Sequence, residues 1–166
     1  MPKSLIIVIT CLSIFSCQQK ENIEDSRYQI IFVKDFWCRI DLKSKILTVD
    51  FDSFKFKDTL KFTSSESQEI SEAFNKRSLT GAKGKINYYP TDIIMPAFYE
   101  TINIYKDKKF ASAIRINTQC KTSIFSFGTR SRAIKFRDVV NGILDKNLKF
   151  IKARNLYQKY MSDHRL

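Results

Sequence analysis

The chain has 166 residues, and its 29 lysines and arginines against 17 aspartates and glutamates give a formal net charge of +12. Only 4 glycines and 3 prolines exclude collagen-like and Pro/Gly-rich chains and make a long disordered segment unexpected, and 14 phenylalanines can fill one ordinary core. Neither an internal repeat nor a low-complexity tract is visible.

From the N-terminus, residues 4 to 19 carry no charge, and the strongly apolar part is Leu5 to Phe15, behind Lys3. A helix needs roughly 20 apolar residues to cross a bilayer. This run is shorter and fits the apolar region of a secretory signal, about 7–15 residues behind a positive charge. It closes on Ile14-Phe15-Ser16-Cys17, followed by polar residues from Gln18 onward.

Those four residues resemble the lipobox of bacterial lipoproteins: a branched apolar residue, a variable one, a small one, then cysteine. The resemblance covers only the first residues, to about Lys20. It implies cleavage between Ser16 and Cys17, with Cys17 lipidated on its thiol and acylated on its new amine. Cys11, inside the apolar run, fits less well because no polar residues follow it. Two or more acyl chains anchor stably, at about 0.8 kcal/mol per buried methylene. The expected organisation is a signal peptide over 1–16, a lipidated tether over 17–27 and a single domain over 28–166. The expected location is the bacterial cell envelope, on the outer membrane.

From Tyr28 to Thr63 the pattern predicts strands. "YQIIFV" is apolar and β-prone, and "WCRIDL" and "ILTVDF" flank "KSK" as a hairpin. "FKFKDTLKF" alternates Phe54, Phe56, Leu60 and Phe62 with lysines, as a half-buried antiparallel strand does. The period then changes. Thr63 with Glu66, or Ser65 with Gln68, offers a capping box, and Ile70, Ala73 and Phe74 make one apolar face of a helix.

"TGAKGK" breaks that helix, and Ile86 to Ala97, with Pro90 and Pro96, is expected to run over the surface. "AFYETINIYKDKKFASAIRIN" reads as a hairpin around "KDKK", and "SIFSF" as one more short strand. After Gly128 the period is helical to the end. Ala133, Phe136, Val140, Ile143 and Leu144 share one face, and Phe150, Ala153, Leu156, Tyr157 and Tyr160 share a face of a second helix. The fold class is therefore α+β: an antiparallel sheet of roughly six to seven strands against one mid-chain helix and one or two C-terminal helices.

Chemistry-bearing patterns are sparse. His164, the single histidine, lies near the C-terminal end, where fraying is the ordinary state. A serine or cysteine nucleophile normally needs a histidine partner, so no catalytic residue, metal ligand or cofactor is assigned. Cys38 and Cys120, each in or beside a predicted strand, are a candidate disulfide between neighbouring strands, the alternative being two buried free thiols. Trp37 is expected in the core. "TRSRAIKFR" supplies Arg130, Arg132, Lys135 and Arg137, a candidate anion-binding set on the shoulders of an apolar helix face. Such shoulders also suit a core helix whose long stems reach water.

A basic balance raises nucleic acid as a partner. Export argues against it, because the polyanions outside the cytoplasm are mostly lipid headgroups and glycans. The resulting expectation is a lipid-anchored, non-enzymatic envelope protein that binds an unidentified protein, in the manner of an immunity or inhibitor lipoprotein. The alternative is an anionic-glycan or lipid-headgroup binder.

Overall fold

Alternation of side chains builds the sheet. The computed structural model describes Ile23 and residues 27–76, 79–122 and 127–164. Its strands are β1 (Tyr28–Lys34), β2 (Cys38–Asp41), β3 (Ile46–Phe51), β4 (Phe54–Thr59), β5 (Gly84–Tyr88), β6 (Tyr99–Lys106) and β7 (Lys109–Asn117). The helices are α1 (Ser64–Lys76), α2 (Thr129–Leu144) and α3 (Leu148–Asp163), with a 3-10 turn at Leu79–Gly81. The strands form one seven-stranded sheet in the order β4-β3-β2-β1-β6-β7-β5. The expected α+β class, with one mid-chain helix and two C-terminal helices, is what the chain adopts.

One face of the sheet carries Ile30, Phe32, Ile40, Leu47, Val49, Ile102, Ile104, Ile114 and Ile116, all buried. Against it pack Ile70 and Phe74 of α1, Phe136 and Val140 of α2, and Phe150 and Ala153 of α3. Each large apolar side chain buried there contributes about 1.5–3 kcal/mol. The other face bears Arg39, Thr48, Thr101, Asn103 and Arg115 and meets solvent, as antiparallel sheets allow.

Two features depart from the sequence reading. Residues 86–88, expected in a surface run, belong to β5, which pairs with β7 in parallel, so the sheet is mixed. As a five-residue edge strand with exposed Lys85 and Asn87, β5 has only weak alternation to betray it. The β6–β7 turn is also tighter than "KDKK": Lys106 already pairs with Lys109, and Asp107 and Lys108 turn alone at φ 49° and 64°. Of the strand expected at "SIFSF", residues 123–126 lie outside the described residues, as do residues 1–22 with the signal and lipidation positions.

Helix starts are fixed by side chains. Thr63 Oγ1 accepts from the Glu66 N–H at 3.1 Å while Glu66 Oε2 accepts from the Thr63 N–H at 2.7 Å, the first of the two expected capping boxes. Asn147 caps α3 by accepting from the N–H groups of Lys149 and Phe150, and its own amide donates to the Lys61 carbonyl at 2.8 Å.

The topology gives the molecule two ends. At one, the chain enters: the Asp107 N–H, in the β6–β7 turn, donates to the Arg27 carbonyl at 3.0 Å. Ile23 is buried, and its N–H donates to Ser71 Oγ of α1 at 2.8 Å. The other end gathers the β1–β2 loop (35–37), the β3–β4 turn (52–53), the segment 89–98, the residues after β7, the start of α2 and the last turns of α3. Registers such as Lys34 with Glu100, Tyr99 with Asn117 and Tyr88 with Ile116 bring these loops together. The ends of β1 lie about 20 Å apart.

Candidate functional site: a cleft and an apolar loop at the end opposite chain entry

Between the β1–β2 loop and α3 lies a cleft of about 710 Å³ bounded by Lys34, Asp35, Trp37, Phe98, Arg154 and Tyr157, among others. The loop forming one wall contains no glycine, yet Asp35 and Phe36 both take left-handed backbone, at φ 46° and 65°. For a bulky residue such as phenylalanine this conformation is strained. The Asp35 N–H holds it by donating to the Tyr99 carbonyl at 3.1 Å. The result turns Phe36 out, 70 % exposed, and Trp37 in.

Trp37 stacks on Tyr157, with centroids 5.0 Å apart and planes at 12°, and leans on Phe150 at 5.8 Å. Phe51 and Phe54 brace Tyr157 from the β3–β4 turn. The Tyr160 hydroxyl is 2.9 Å from both Asp52 Oδ2 and Ser53 Oγ, tying the end of α3 to that turn. Trp37 is thus in the core, as expected, and also bounds the cleft. His164 is packed rather than loose: its ring stacks on Tyr160, and its Nδ1 lies 2.8 Å from the Tyr160 carbonyl.

Behind the cleft sits a buried polar cluster. Glu100, 3 % exposed, takes the Asn141 amide at 3.0 and 3.1 Å, with Lys34 Nζ at 3.4 Å and Arg137 Nε at 3.6 Å. Asp35 has no such company: its Oδ1 is buried without a hydrogen-bond partner. Burial raises its pKa, with Glu100 adding to the shift, while Lys34 and the Tyr99 backbone pull it back.

Beside the cleft, the segment 89–98 exposes Ile93, Ile94, Met95 and Phe98, with Ile94 and Met95 at 73 % and 77 %. Gln119 holds the segment through the Ile94 backbone, accepting from its N–H at 2.9 Å and donating to its carbonyl at 2.5 Å. Phe36 and Tyr89 continue the apolar surface. Arg115 joins them, its guanidinium 4.0 Å from the Tyr99 ring and 5.9 Å from that of Phe36. Exposed Lys121, Arg130 and Arg132 stand at the same end, with Asp92 within the segment.

The candidate anion-binding residues do not form one set. Arg137 is 5 % exposed and engaged internally, donating to the Asn117 and Cys120 carbonyls and to Asp138. Arg130 is exposed and donates to the Tyr89 carbonyl at 2.7 Å. Arg132 is exposed and Lys135 half-buried. Arg137 therefore leaves the surface set: in place of a shoulder of the helix it occupies a buried position that its hydrogen bonds stabilise.

Cys38 and Cys120 are both buried and free. They are not on neighbouring strands. Cys38 pairs with Lys34, Lys34 with Glu100, and Glu100 with Ile116, with Cys120 beyond the end of β7. Three strand spacings are about 14 Å, whereas a disulfide holds its Cα atoms about 4.4–6.8 Å apart. Burial pushes the Cys38 thiol well above its ordinary value, which keeps it protonated.

The sequence reading missed Asp35, Glu100 and the 89–98 segment. One signal was available: Ile93-Ile94-Met95 is a run of apolar residues between Pro90 and Pro96, and exposed apolar runs of that kind are errors unless they serve a function. No family model, curated protein or solved structure matches the chain.

Proposed function

We propose that the chain is a lipid-anchored, non-enzymatic envelope protein that docks an acidic protein at the end opposite its anchor. The observation that carries this reading is the exposed Ile93, Ile94, Met95 and Phe98, joined by Phe36 and attended by Arg115, Lys121, Arg130 and Arg132. A central apolar patch with a basic rim suits a protein partner: the patch supplies buried area, and the rim speeds encounter with an acidic surface. Capture of an incoming toxin or enzyme, as by an immunity or inhibitor lipoprotein, is the role this combination serves.

The anchor orients the patch. Six residues separate Cys17 from Ile23, a leash of at most about 20 Å. The entry end then stays near the bilayer, and the patch faces outward. This geometry disfavours headgroup binding through α2, which is further weakened because Arg137 is already engaged inside the protein.

Fractionation combined with a surface variant tests both halves. Cys17→Ser is expected to leave the membrane fraction or remain unprocessed. Ile94→Ser with Met95→Ser is expected to stay anchored and folded while losing its protein partner. A Cys17→Ser protein still membrane-bound at its processed mass contradicts the anchor, and undiminished partner capture by the double variant contradicts the docking surface.

A further inference from the structure

We propose that the cleft beside Asp35 binds a cationic group, an ammonium or a guanidinium, with Asp35 as counter-ion and Trp37, Tyr157 and Phe98 as aromatic walls. The argument begins with charge. Each cation around the cleft has a carboxylate: Lys34 has Glu100 at 3.4 Å, Arg137 has Asp138 at 2.7 Å, and Arg154 has Asp145 at 3.2 Å. Lys34 Nζ is further held by Asn141 Oδ1 at 2.8 Å. Asp35 is the acid left over, and its Oδ1 is buried without a hydrogen-bond donor.

A buried acceptor without a partner costs free energy, and a ligand that donates to it recovers that cost on binding. A charged donor recovers more than a neutral one, because charge-assisted hydrogen bonds are roughly twice as strong. The aromatic walls act in the same direction, since ring faces attract cations. The strained left-handed backbone at Asp35 and Phe36 holds the carboxyl at the cleft, as strain at ligand sites commonly does. The cation can come from a lysine or arginine side chain of a docked protein or from a free polyamine.

The proposal stands apart from the docking surface, since small probes read the cleft and cross-linking reads the 89–98 segment. The purified chain is titrated with N-acetyl-arginine amide, with its neutral isostere N-acetyl-citrulline amide, and with spermidine. Emission of Trp37, the only tryptophan, is the readout. The arginine probe is expected to give a saturable change, with the citrulline probe about tenfold weaker or more. Asp35→Asn is expected to bring the arginine probe down to the citrulline level; asparagine tolerates left-handed backbone, and a melting curve checks the fold. Tighter binding of spermidine assigns the site to free polyamines, and tighter binding of the arginine probe assigns it to a protein side chain. Equal binding of arginine and citrulline overturns the proposal. So does unchanged binding by the folded Asp35→Asn protein, or no saturable change with either cation.

Discussion

Asp35 and Glu100 are both acids on the covered side of the sheet end, and their surroundings give them opposite roles. Glu100 is satisfied by Asn141, Lys34 and Arg137, so it holds α2 against the sheet. Asp35 is half-desolvated and short of a donor, so its charge opposes folding. Because the folded state raises its pKa above the ordinary 3.8, the folded protein holds that proton more tightly than the unfolded chain does. Wild-type stability should therefore fall, relative to Asp35→Asn, as pH rises from about 3.8 through the raised value, and the difference should be flat above it. Urea unfolding of both proteins across that window checks this. A wild type that instead gains on the variant with rising pH contradicts the desolvated carboxyl. Neither acid was legible in the sequence, because both are single residues whose meaning comes from strands far apart in the chain: Asp35 meets Tyr99, and Glu100 meets Asn141.

Elements, by contrast, were largely legible. The alternation in β3, β4, β6 and β7 and the apolar faces of α2 and α3 follow from periods of 2 and 3.6, which local sequence records directly. Ala133, Phe136, Val140, Ile143, Leu144, Phe150 and Ala153 are all buried, as their spacing requires. Leu156 is not, at 37 % exposed, because α3 presents Tyr157 to Trp37 and Phe51 instead. What local pattern did not record was β5, whose pairing with β7 is a parallel, long-range contact at an edge. The position of α3 matters most for the cleft, and Asn147 sets it by capping the helix and bonding to Lys61. Asn147→Ala should cost about 2 kcal/mol, roughly one for the cap and one for the lost amide bond. Chemical denaturation measures it, and a cost near zero would mean that α3 is placed by Phe150 and Tyr157 packing alone.

At the scale of the molecule, the sheet works as a spacer. Chain entry and the β6–β7 turn lie at one end, the cleft and the exposed 89–98 segment at the other, and the length of β1 separates them. That separation decides between the two binding modes open to an anchored basic protein. A headgroup binder needs its basic surface near the anchor. A docking protein benefits from an apolar patch held away from the bilayer and presented to arriving partners. Among the described residues no helix is long and apolar enough to cross a membrane, so the proposed anchoring rests on Cys17 alone. The most direct test is photocross-linking in intact envelopes from two positions, Ile94 in the exposed segment and Lys108 in the turn at the entry end. The account predicts a discrete adduct with one acidic protein from position 94, abolished by Met95→Ser with Phe98→Ser, and no such adduct from position 108. Lipid adducts from position 94, or the same protein adducts from both positions, would contradict it.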